Sequence, residues 1–167
     1  QFRKIQLDQL IIAFKSIFSR LCPEYKDIDY SIKYRTGWTK DLDLKAALST
    51  NLERDKQIGY TRSGSHAADW SFRINDLDPA DIFSRGQQKL FFLALCMAQA
   101  VITEQTRHET SLFLLDDLGA ELDNTHQKNV LNELEKLPVQ AFITSTNSDL
   151  LMHDNVAVFH VKQGAIN

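Results

Sequence analysis

The chain has 167 residues, of which 43% are hydrophobic and 25% charged, as in an ordinary folded globular domain. Its formal net charge of −3 gives no general electrostatic reason to expect nucleic-acid binding, so such a contact would need a local basic patch. No apolar run reaches the roughly 20 residues of a membrane span. The two cysteines and five histidines lack the spacing of metal ligands, and we expect reduced thiols, no metal site among these residues and a cytoplasmic location.

The first predicted element is a helix over residues 2–21, which ends before Pro23. Its apolar residues recur at helical spacing and form one broad stripe: Phe2, Ile5, Leu10, Ile11, Phe14, Ile17, Phe18 and Leu21. This stripe predicts packing against a core, and we expect part of the partner surface to lie outside the chain.

Residues 28–35 alternate between apolar and polar side chains, which predicts a half-buried strand. Lys33 and Arg35 on its outer face could contact a phosphate backbone or simply be solvated. A second helix is predicted over 41–57, ended by Gly59, and Trp70, Phe72 and Ile74 predict another strand.

A long apolar segment, Leu90 to Ile102, predicts a buried helix that begins at Ser84. Ser84-Arg85-Gly86-Gln87 satisfies the capping-box pattern, so a well-capped helix with no further role is one interpretation. The other interpretation is an anion site. A helix N-terminus has free N–H groups, Gly86 allows a close approach, and Ser84 adds a hydroxyl.

The segment from Ser111 to Leu115 is continuously apolar after its first residue and ends in Asp116-Asp117. This pattern predicts a strand that is buried on both faces, as in a parallel sheet. Carboxylates at the C-terminal end of such a strand lie where open α/β sheets bind ligands. The pattern is that of a Walker B strand, although Asp-Asp-Leu-Gly is also ordinary turn chemistry and Asp123 a plausible helix N-cap.

The last part of the chain predicts a helix over 124–136, a strand over 139–143 and a final strand over 156–161, with a turn at Gly164. The polar loop 144–149 could cap a helix from Ser148 or bond a phosphate. Strands that alternate with helices indicate βαβ units with right-handed crossovers. The motif G-x-x-x-x-G-K-[ST], which would cradle a phosphate, does not occur in the 167 residues.

The order of these motifs resembles that of an ABC-type ATPase head, with a signature motif, a Walker B strand, a D-loop and a switch loop. Three further stretches are similar to the RecF family of bacterial DNA replication and repair proteins: residues 34–38, 51–55 and 59–69. The resemblance covers nearly the whole chain. It implies an α/β fold: residues 25–167 form the C-terminal lobe of the P-loop NTPase head, with a parallel sheet flanked by helices. Residues 1–24 are then a helix that returns from a helical arm subdomain, and the Walker A motif lies on an N-terminal portion outside the chain.

The resemblance also implies roles for single residues. Asp116 corresponds to the acid associated with Mg2+, and Asp117 to the residue that positions the attacking water. The signature residues Ser84, Gly86 and Gln87 would act in trans on ATP held by a second protomer, and Arg85 would either add charge near that ATP or be solvated. Asp123 would lie in the D-loop at the dimer interface. Thr146 lies in the loop where many relatives have a histidine, so a hydroxyl there, or no side chain, would sense the phosphate.

For the whole protein, the resemblance implies slow ATP hydrolysis that controls a homodimer on DNA. The DNA substrates would be single-strand gaps and duplex junctions. The partner proteins would be RecO and RecR, and together they would help to load RecA. The chain alone is expected to be inactive, because the phosphate cradle is missing. Two alternatives stay open: the head of another ABC, SMC or Rad50-type ATPase, and a non-catalytic α/β interaction module.

Overall fold

A computed structural model describes residues 2–146, 156–162 and 164–166. The chain forms two compact units. Unit 1 contains Gln1–Ile11 and Ile28–Ile82, and unit 2 contains Ile12–Asp27 and Phe83–Asn167. The boundary predicted after residue 24 stays a prediction.

Helix α1 covers Phe2–Leu21, as the apolar spacing predicts. Its stripe is only partly buried. Phe2 and Ile5 are 72% and 53% exposed, whereas Phe14 and Phe18 are completely buried in the core of unit 2. The expected packing against a core is therefore found for the second half of the helix and for Leu10, whereas Phe2 and Ile5 have no such cover within the described residues.

Unit 1 is built on an antiparallel pair of strands, β1 (Tyr30–Arg35) and β2 (Asp69–Ile74), with Tyr30 opposite Ile74. Helix α2 covers Leu44–Ile58. The carboxylate of Asp43 accepts the N–H of Ala46 at 2.7 Å, and Gly59 ends the helix in a left-handed conformation. A 3-10 helix, Ser65–Ala67, precedes β2, and the short helix α3, Pro79–Ile82, follows it.

Two stretches of unit 1 that resemble the RecF family meet in space at Gly37. A Cβ at Gly37 would lie 2.3 Å from the carbonyl oxygen of Gly64 and 2.4 Å from the nitrogen of Ala68. The N–H of Gly64 donates to the carbonyl of Gly37 at 3.0 Å. With a φ of +88°, only glycine fits at Gly37 without strain or collision.

Unit 2 contains a parallel strand pair, β3 (Ser111–Leu115) and β4 (Val139–Ile143), with Phe113 opposite Ala141. Helix α5 (Asn124–Leu134) connects the two strands, so the predicted βαβ unit is confirmed. The 23-residue helix α4, Arg85–Arg107, precedes β3, and the 3-10 helix Pro23–Tyr25 follows α1. Aromatic rings from α1, from α4 and from the residues that flank these helices pack together in unit 2: Phe14, Phe18, Tyr25, Phe83 and Phe91.

Two strand predictions are wrong. Strand β3 was expected to be buried on both faces, but Leu112 and Leu114 are 58% and 73% exposed and only Phe113 is buried. The reason is that, among the described residues, helices cover one face of this sheet. A strand over 156–161 was also expected. Residues 156–160 have no ladder partner in the described chain, and the strand there is β5, Val161–Lys162, which pairs with β6, Ala165–Ile166.

The turn predicted at Gly164 is confirmed, with a φ of +81°. The helix predicted from Ser148 lies outside the described residues. No helix in the described ranges is long and apolar enough to cross a membrane.

One buried acid ties α1 to α5 within unit 2. Glu133 is only 1% exposed, and its carboxylate accepts bonds from Nε and NH2 of Arg20 at 2.8 and 2.5 Å. Lys136 Nζ lies 3.5 Å from the same carboxylate. Burial raises the pKa of Glu133, but the hydrogen bonds and charge of Arg20 outweigh it and hold that pKa below its usual value.

We expect Arg20→Met to lower the free energy of unfolding by about 3 kcal/mol at neutral pH, because it leaves a buried carboxylate with one weaker partner. A depressed pKa in the folded state stabilises the fold above the unfolded pKa, and this contribution is lost as the pH falls through the folded value. The difference between Arg20→Met and wild type should therefore shrink below about pH 4.5. Urea denaturation of both proteins at several pH values measures this difference in the free energy of unfolding. Adding Glu133→Gln to Arg20→Met should recover part of the loss, and an equal loss at all pH values would contradict this account.

Candidate functional site

The N-terminus of α4 has the capping box that its sequence predicts. The hydroxyl of Ser84 accepts the N–H of Gln87 at 3.4 Å, and the side-chain oxygen of Gln87 accepts the N–H of Ser84 at 3.0 Å. Arg85 and Gly86 occupy the first two helical positions, whose N–H groups have no acceptor inside a helix. The helix therefore begins with two N–H donors that can bind an anion.

Asp116 and Asp117 follow β3 directly, and both are exposed. The hydroxyl of Thr144, which follows β4, donates to Oδ1 of Asp116 at 2.6 Å and accepts the N–H of Asp117 at 2.8 Å. The main chains of the two strand ends also bond, because the N–H of Thr144 donates to the carbonyl of Leu115 at 2.9 Å. One threonine thus fixes both acids at the C-terminal edge of the parallel sheet.

The backbone of Asp117 has a left-handed conformation, with a φ of +46°. Aspartate and asparagine tolerate this conformation better than most side chains. Gly119 lies beneath the Asp117 carboxylate, where an added Cβ would be 3.6 Å from Oδ1 and 3.9 Å from the hydroxyl of Ser145. The carboxylate of Asp117 therefore projects over the turn that follows it.

That turn packs against the first turn of α4. A Cβ at Gly86 would lie 2.6 Å from the carbonyl oxygen of Glu121, so only glycine permits this approach. Lys89 Nζ donates to the carbonyl oxygens of Asp117 and Ala120 at 3.1 and 2.8 Å. The signature helix and the segment after the acidic strand thus form one continuous structure.

Asp123 closes the turn and begins α5. Its carboxylate accepts the backbone N–H of His126 at 2.9 Å, which confirms the predicted N-cap, and lies 2.9 Å from Nδ1 of the same histidine. The bond from the backbone of His126, followed by that from its ring, lowers the pKa of Asp123. Inside the turn, the buried side chain of Gln127 donates to the carbonyl of Leu122 at 2.6 Å.

The structure brings most of the residues predicted for the site into one contiguous region, and the side chains of two of them make no bond within it. Gly86 touches the turn that runs from Asp117 to Asp123, and Asp116 bonds to the loop after β4. Arg85 and Thr146 are exposed, and no side-chain bond to either one is found within the described chain. Sequence reasoning placed Thr144 in the candidate loop without singling it out, and it missed Lys89. The signal for Thr144 was its position directly after a strand parallel to β3, where carboxyl ends of strands meet.

The region offers two kinds of chemistry at one edge of the sheet. The carboxylates of Asp116 and Asp117 and the hydroxyl of Thr144 are hard oxygen donors of the kind that Mg2+ prefers. The N–H groups at the start of α4 and the partial positive charge of that helix terminus favour an anion. These donors fit a magnesium ion and a phosphate group.

Lys89→Met tests whether the lysine holds the turn. We expect a loss of about 1–2 kcal/mol in the free energy of unfolding, because two carbonyl oxygens lose a charged donor. Amide hydrogen exchange over residues 117–122 should also become faster. Lys128→Met is the matched control, since Lys128 is an exposed lysine of the same unit whose side chain has no hydrogen bond within the described residues. Equal exchange in the two variants would show that Lys89 does not order the turn.

Comparison with known proteins shows the family to which the chain belongs. The sequence profile of the family described as RecF/RecN/SMC N terminal domain matches residues 3–167, and the chain belongs to this family. The predicted fold class is confirmed: the parallel sheet with flanking helices matches the ABC-ATPase fold of solved RecF structures. Two such structures are described as the recombination mediator protein RecF-ATPrS and the recombination mediator protein RecF-ATP, both in the RecFOR pathway. Each has a TM-score of 0.70 and 24% sequence identity to this chain. Each likeness covers 99% of this chain and 45% of that chain.

Among individual proteins, the chain is similar to those named DNA replication and repair protein RecF. It is 41% identical over 162 residues to that of Pseudomonas fluorescens strain SBW25, and 40% identical over 162 residues to that of Pseudomonas putida strain GB-1. In both cases the alignment covers 93% of this chain and 44% of the relative. The chain thus spans less than half the length of these relatives.

Proposed function

We propose that this chain is the signature and Walker B lobe of a DNA-repair ATPase head that uses ATP as a dimerisation switch. The observation that carries the proposal is the packing of Gly86 and Lys89, on the signature helix, against the turn that follows Asp116-Asp117. Two motifs that are distant in the sequence form one structure at the edge of a parallel sheet, where α/β proteins bind ligands. The membership of the RecF/RecN/SMC family supports the same interpretation.

In this proposal Asp116 contributes to Mg2+ binding, and Asp117 orients and deprotonates the attacking water. When bound, Mg2+ neutralises charge on the phosphate oxygens of ATP. The hydroxyl of Thr144 bonds to Asp116 and to the backbone of Asp117, and it holds the two acids in fixed orientations. An aspartate reaches less far than a glutamate would, which is consistent with slow turnover.

The signature residues act on the nucleotide of a second protomer. The N–H groups of Arg85 and Gly86 and the hydroxyl of Ser84 present donors to a γ-phosphate, and the Arg85 side chain adds positive charge. Gln87 holds this end of the helix through its bond to the N–H of Ser84. Asp123 belongs to the D-loop at the interface between protomers. The chain contains no G-x-x-x-x-G-K-[ST] motif, so the phosphate cradle comes from residues outside these 167.

For the loop after β4, the predicted phosphate sensor was Thr146, in place of a histidine. The contacts support Thr144 more strongly, because its hydroxyl already bonds to Asp116 and Asp117, whereas no side-chain bond to Thr146 is found within the described residues. We therefore assign the coupling between the two strand ends to Thr144, and a direct phosphate contact stays a proposal for Thr146.

The whole protein is proposed to act in the cytoplasm on DNA with single-strand gaps and duplex junctions, together with RecO and RecR, in loading RecA. The relatives are named for DNA replication and repair, and a solved structure with the same fold is a recombination mediator of the RecFOR pathway. ATP-bound dimers would hold DNA, and hydrolysis would release it, so that nucleotide state sets the population of the assembly.

A second candidate is a non-catalytic module, and one observation favours it: in the capping box, the side chains of Ser84 and Gln87 each already accept the backbone N–H of the other residue. Light scattering on the intact protein separates the two candidates. The ATPase proposal predicts dimers with ATP and Mg2+, and monomers with ADP. The same mass in both nucleotides would favour the module.

A further inference from the structure

Three potential metal ligands meet in unit 2, outside the proposed ATP site. They are the thiol of Cys22, directly after α1, the carboxylate of Glu24 in the 3-10 helix Pro23–Tyr25, and the imidazole of His126 in the first turn of α5. One ligand atom from each residue lies within 4.8 Å of those from the other two. Nothing in the spacing of these residues along the sequence indicates this cluster.

The three ligands differ in burial in a way that suits a site near the surface. Cys22 is fully buried, the His126 side chain is 25% exposed, and Glu24 is exposed. The buried thiol and the largely buried imidazole form the base of the site, and the exposed carboxylate of Glu24 can turn toward them by a change of rotamer. The solvent side leaves room for a water as a fourth ligand.

Asp123 orients the histidine for this role. Its Oδ2 lies 2.9 Å from Nδ1 of His126, and because a carboxylate only accepts, this contact suits the neutral tautomer with its proton on Nδ1 and its lone pair on Nε2. Metal-binding histidines almost always donate their second N–H to a carboxylate or a carbonyl, which fixes the ring and raises its basicity. The Asp123–His126 pair has this arrangement.

We propose that Cys22 Sγ, the Glu24 carboxylate and His126 Nε2 bind one Zn2+ ion, with Asp123 as the residue that orients His126. Thiolate, imidazole and carboxylate are all zinc ligands, and a thiolate disfavours Mg2+ and Ca2+. Zinc bonds of about 2.0–2.3 Å at tetrahedral angles place ligand atoms roughly 3.5 Å apart. Any two ligand atoms therefore have to approach each other by at most about 1.3 Å, and the exposed Glu24 side chain can supply part of this movement. The Cys22 thiol releases its proton to solvent as the zinc–sulfur bond forms.

The site would join two segments that are far apart in the sequence. Cys22 and Glu24 belong to the segment that leaves α1, and His126 to the N-terminal turn of α5, which Asp123 caps. A bound ion would link the end of α1 to the turn that follows the acidic strand. None of the three ligands is assigned to ATP, and Asp123 is the one residue that this inference shares with the proposed function.

Cobalt substitution tests the site on the intact protein. Co2+ is added to metal-free protein, and its absorption is followed for the thiolate-to-cobalt charge-transfer band and for the visible bands of a tetrahedral ion. We expect one Co2+ per chain, displaced by Zn2+. Cys22→Ser should abolish the charge-transfer band. Asp123→Asn, which retains an N-cap, should weaken binding about 10- to 100-fold.

Two further variants keep the test decisive if Cys22→Ser fails to fold. Glu24→Gln changes an exposed side chain and should weaken Co2+ binding without loss of the folded signal in circular dichroism. Cys96→Ser is the matched control, because Cys96 is the other free cysteine of the described chain and lies on α4 away from the cluster. Its charge-transfer band should be unchanged. No band in wild type, unchanged affinity in Glu24→Gln, or a band lost in Cys96→Ser would overturn the proposal.

Discussion

Asp117→Asn in the intact protein should slow ATP hydrolysis by about 10²- to 10⁴-fold, the usual contribution of a general base, and should leave ATP-dependent dimerisation intact. The amide cannot accept a proton from the attacking water. It has nearly the same size as the carboxylate, and asparagine tolerates the left-handed backbone at this position, where φ is +46°. The bond from the Asp117 N–H to Thr144 Oγ1 is made by the backbone and survives the change. Single-turnover hydrolysis and light scattering measure the two effects separately.

The matched control for this variant is Asp76→Asn. Asp76 is also an exposed aspartate in a left-handed conformation, with a φ of +64°, but it lies in the turn after β2 and pairs with Lys33 at 2.9 Å. Its replacement should remove a surface ion pair of small value and leave hydrolysis unchanged. Wild-type turnover in Asp117→Asn would remove Asp117 from the chemical step.

Ser84→Arg should weaken ATP-dependent dimerisation at least about tenfold, which corresponds to about 1.4 kcal/mol. Ser84 is exposed at the N-terminus of α4, where the proposal places the γ-phosphate of the other protomer. An arginine here fills the space that the nucleotide needs, and its long side chain extends into the interface. Analytical ultracentrifugation with ATP and Mg2+ measures the change in dimer affinity.

Loss of the helix cap must be separated from loss of the interface. Ser84→Ala is the control, because it removes the same cap bond to Gln87 and should cost about 1 kcal/mol of stability without adding bulk. Dimerisation should be much weaker in Ser84→Arg than in Ser84→Ala. If the two variants dimerise equally well, Ser84 contributes to the fold alone.

Local patterns in the sequence predict most of the elements of this fold. Several features depend only on neighbours within a few residues. They are the apolar spacing of α1 and α4, the helix caps Ser84 and Asp123, and Gly59, which ends α2. Their physical causes are local hydrogen bonds and side-chain periodicity, which a single sequence displays. The parallel pairing of β3 and β4 was also predictable, because a helix connects them.

Solvent exposure and strand pairing were less predictable because they depend on distant parts of the chain. Leu112 and Leu114 have the composition of a strand buried on both faces, yet the described residues cover one face. Residues 156–160 have strand-forming side chains, but a strand needs a partner, and none pairs with them in the described ranges. The amino-acid composition of a segment indicates its tendency to form a strand. Whether a neighbouring strand is available to pair with it depends on the tertiary structure.

Prediction of the candidate site from the sequence has the same limit. The acids and the serine-capped helix could be predicted as separate motifs, whereas the contacts that join them could not. Each of these contacts joins residues that are more than 25 positions apart: Gly86 with Glu121, Lys89 with two carbonyl oxygens, and Thr144 with two acids. The cluster of Cys22 and Glu24 with His126 was missed for the same reason.

The central claim is that each ATP site combines the acids of one protomer with the signature helix of another. Mixing two inactive variants of the intact protein, Ser84→Arg and Asp117→Asn, tests it most directly. In a mixed dimer, the Ser84→Arg protomer supplies intact acids and the Asp117→Asn protomer supplies an intact signature helix, so one complete site forms. We predict that the mixture hydrolyses ATP faster than the sum of the two variants measured separately. A mixture that only matches that sum would contradict the shared site.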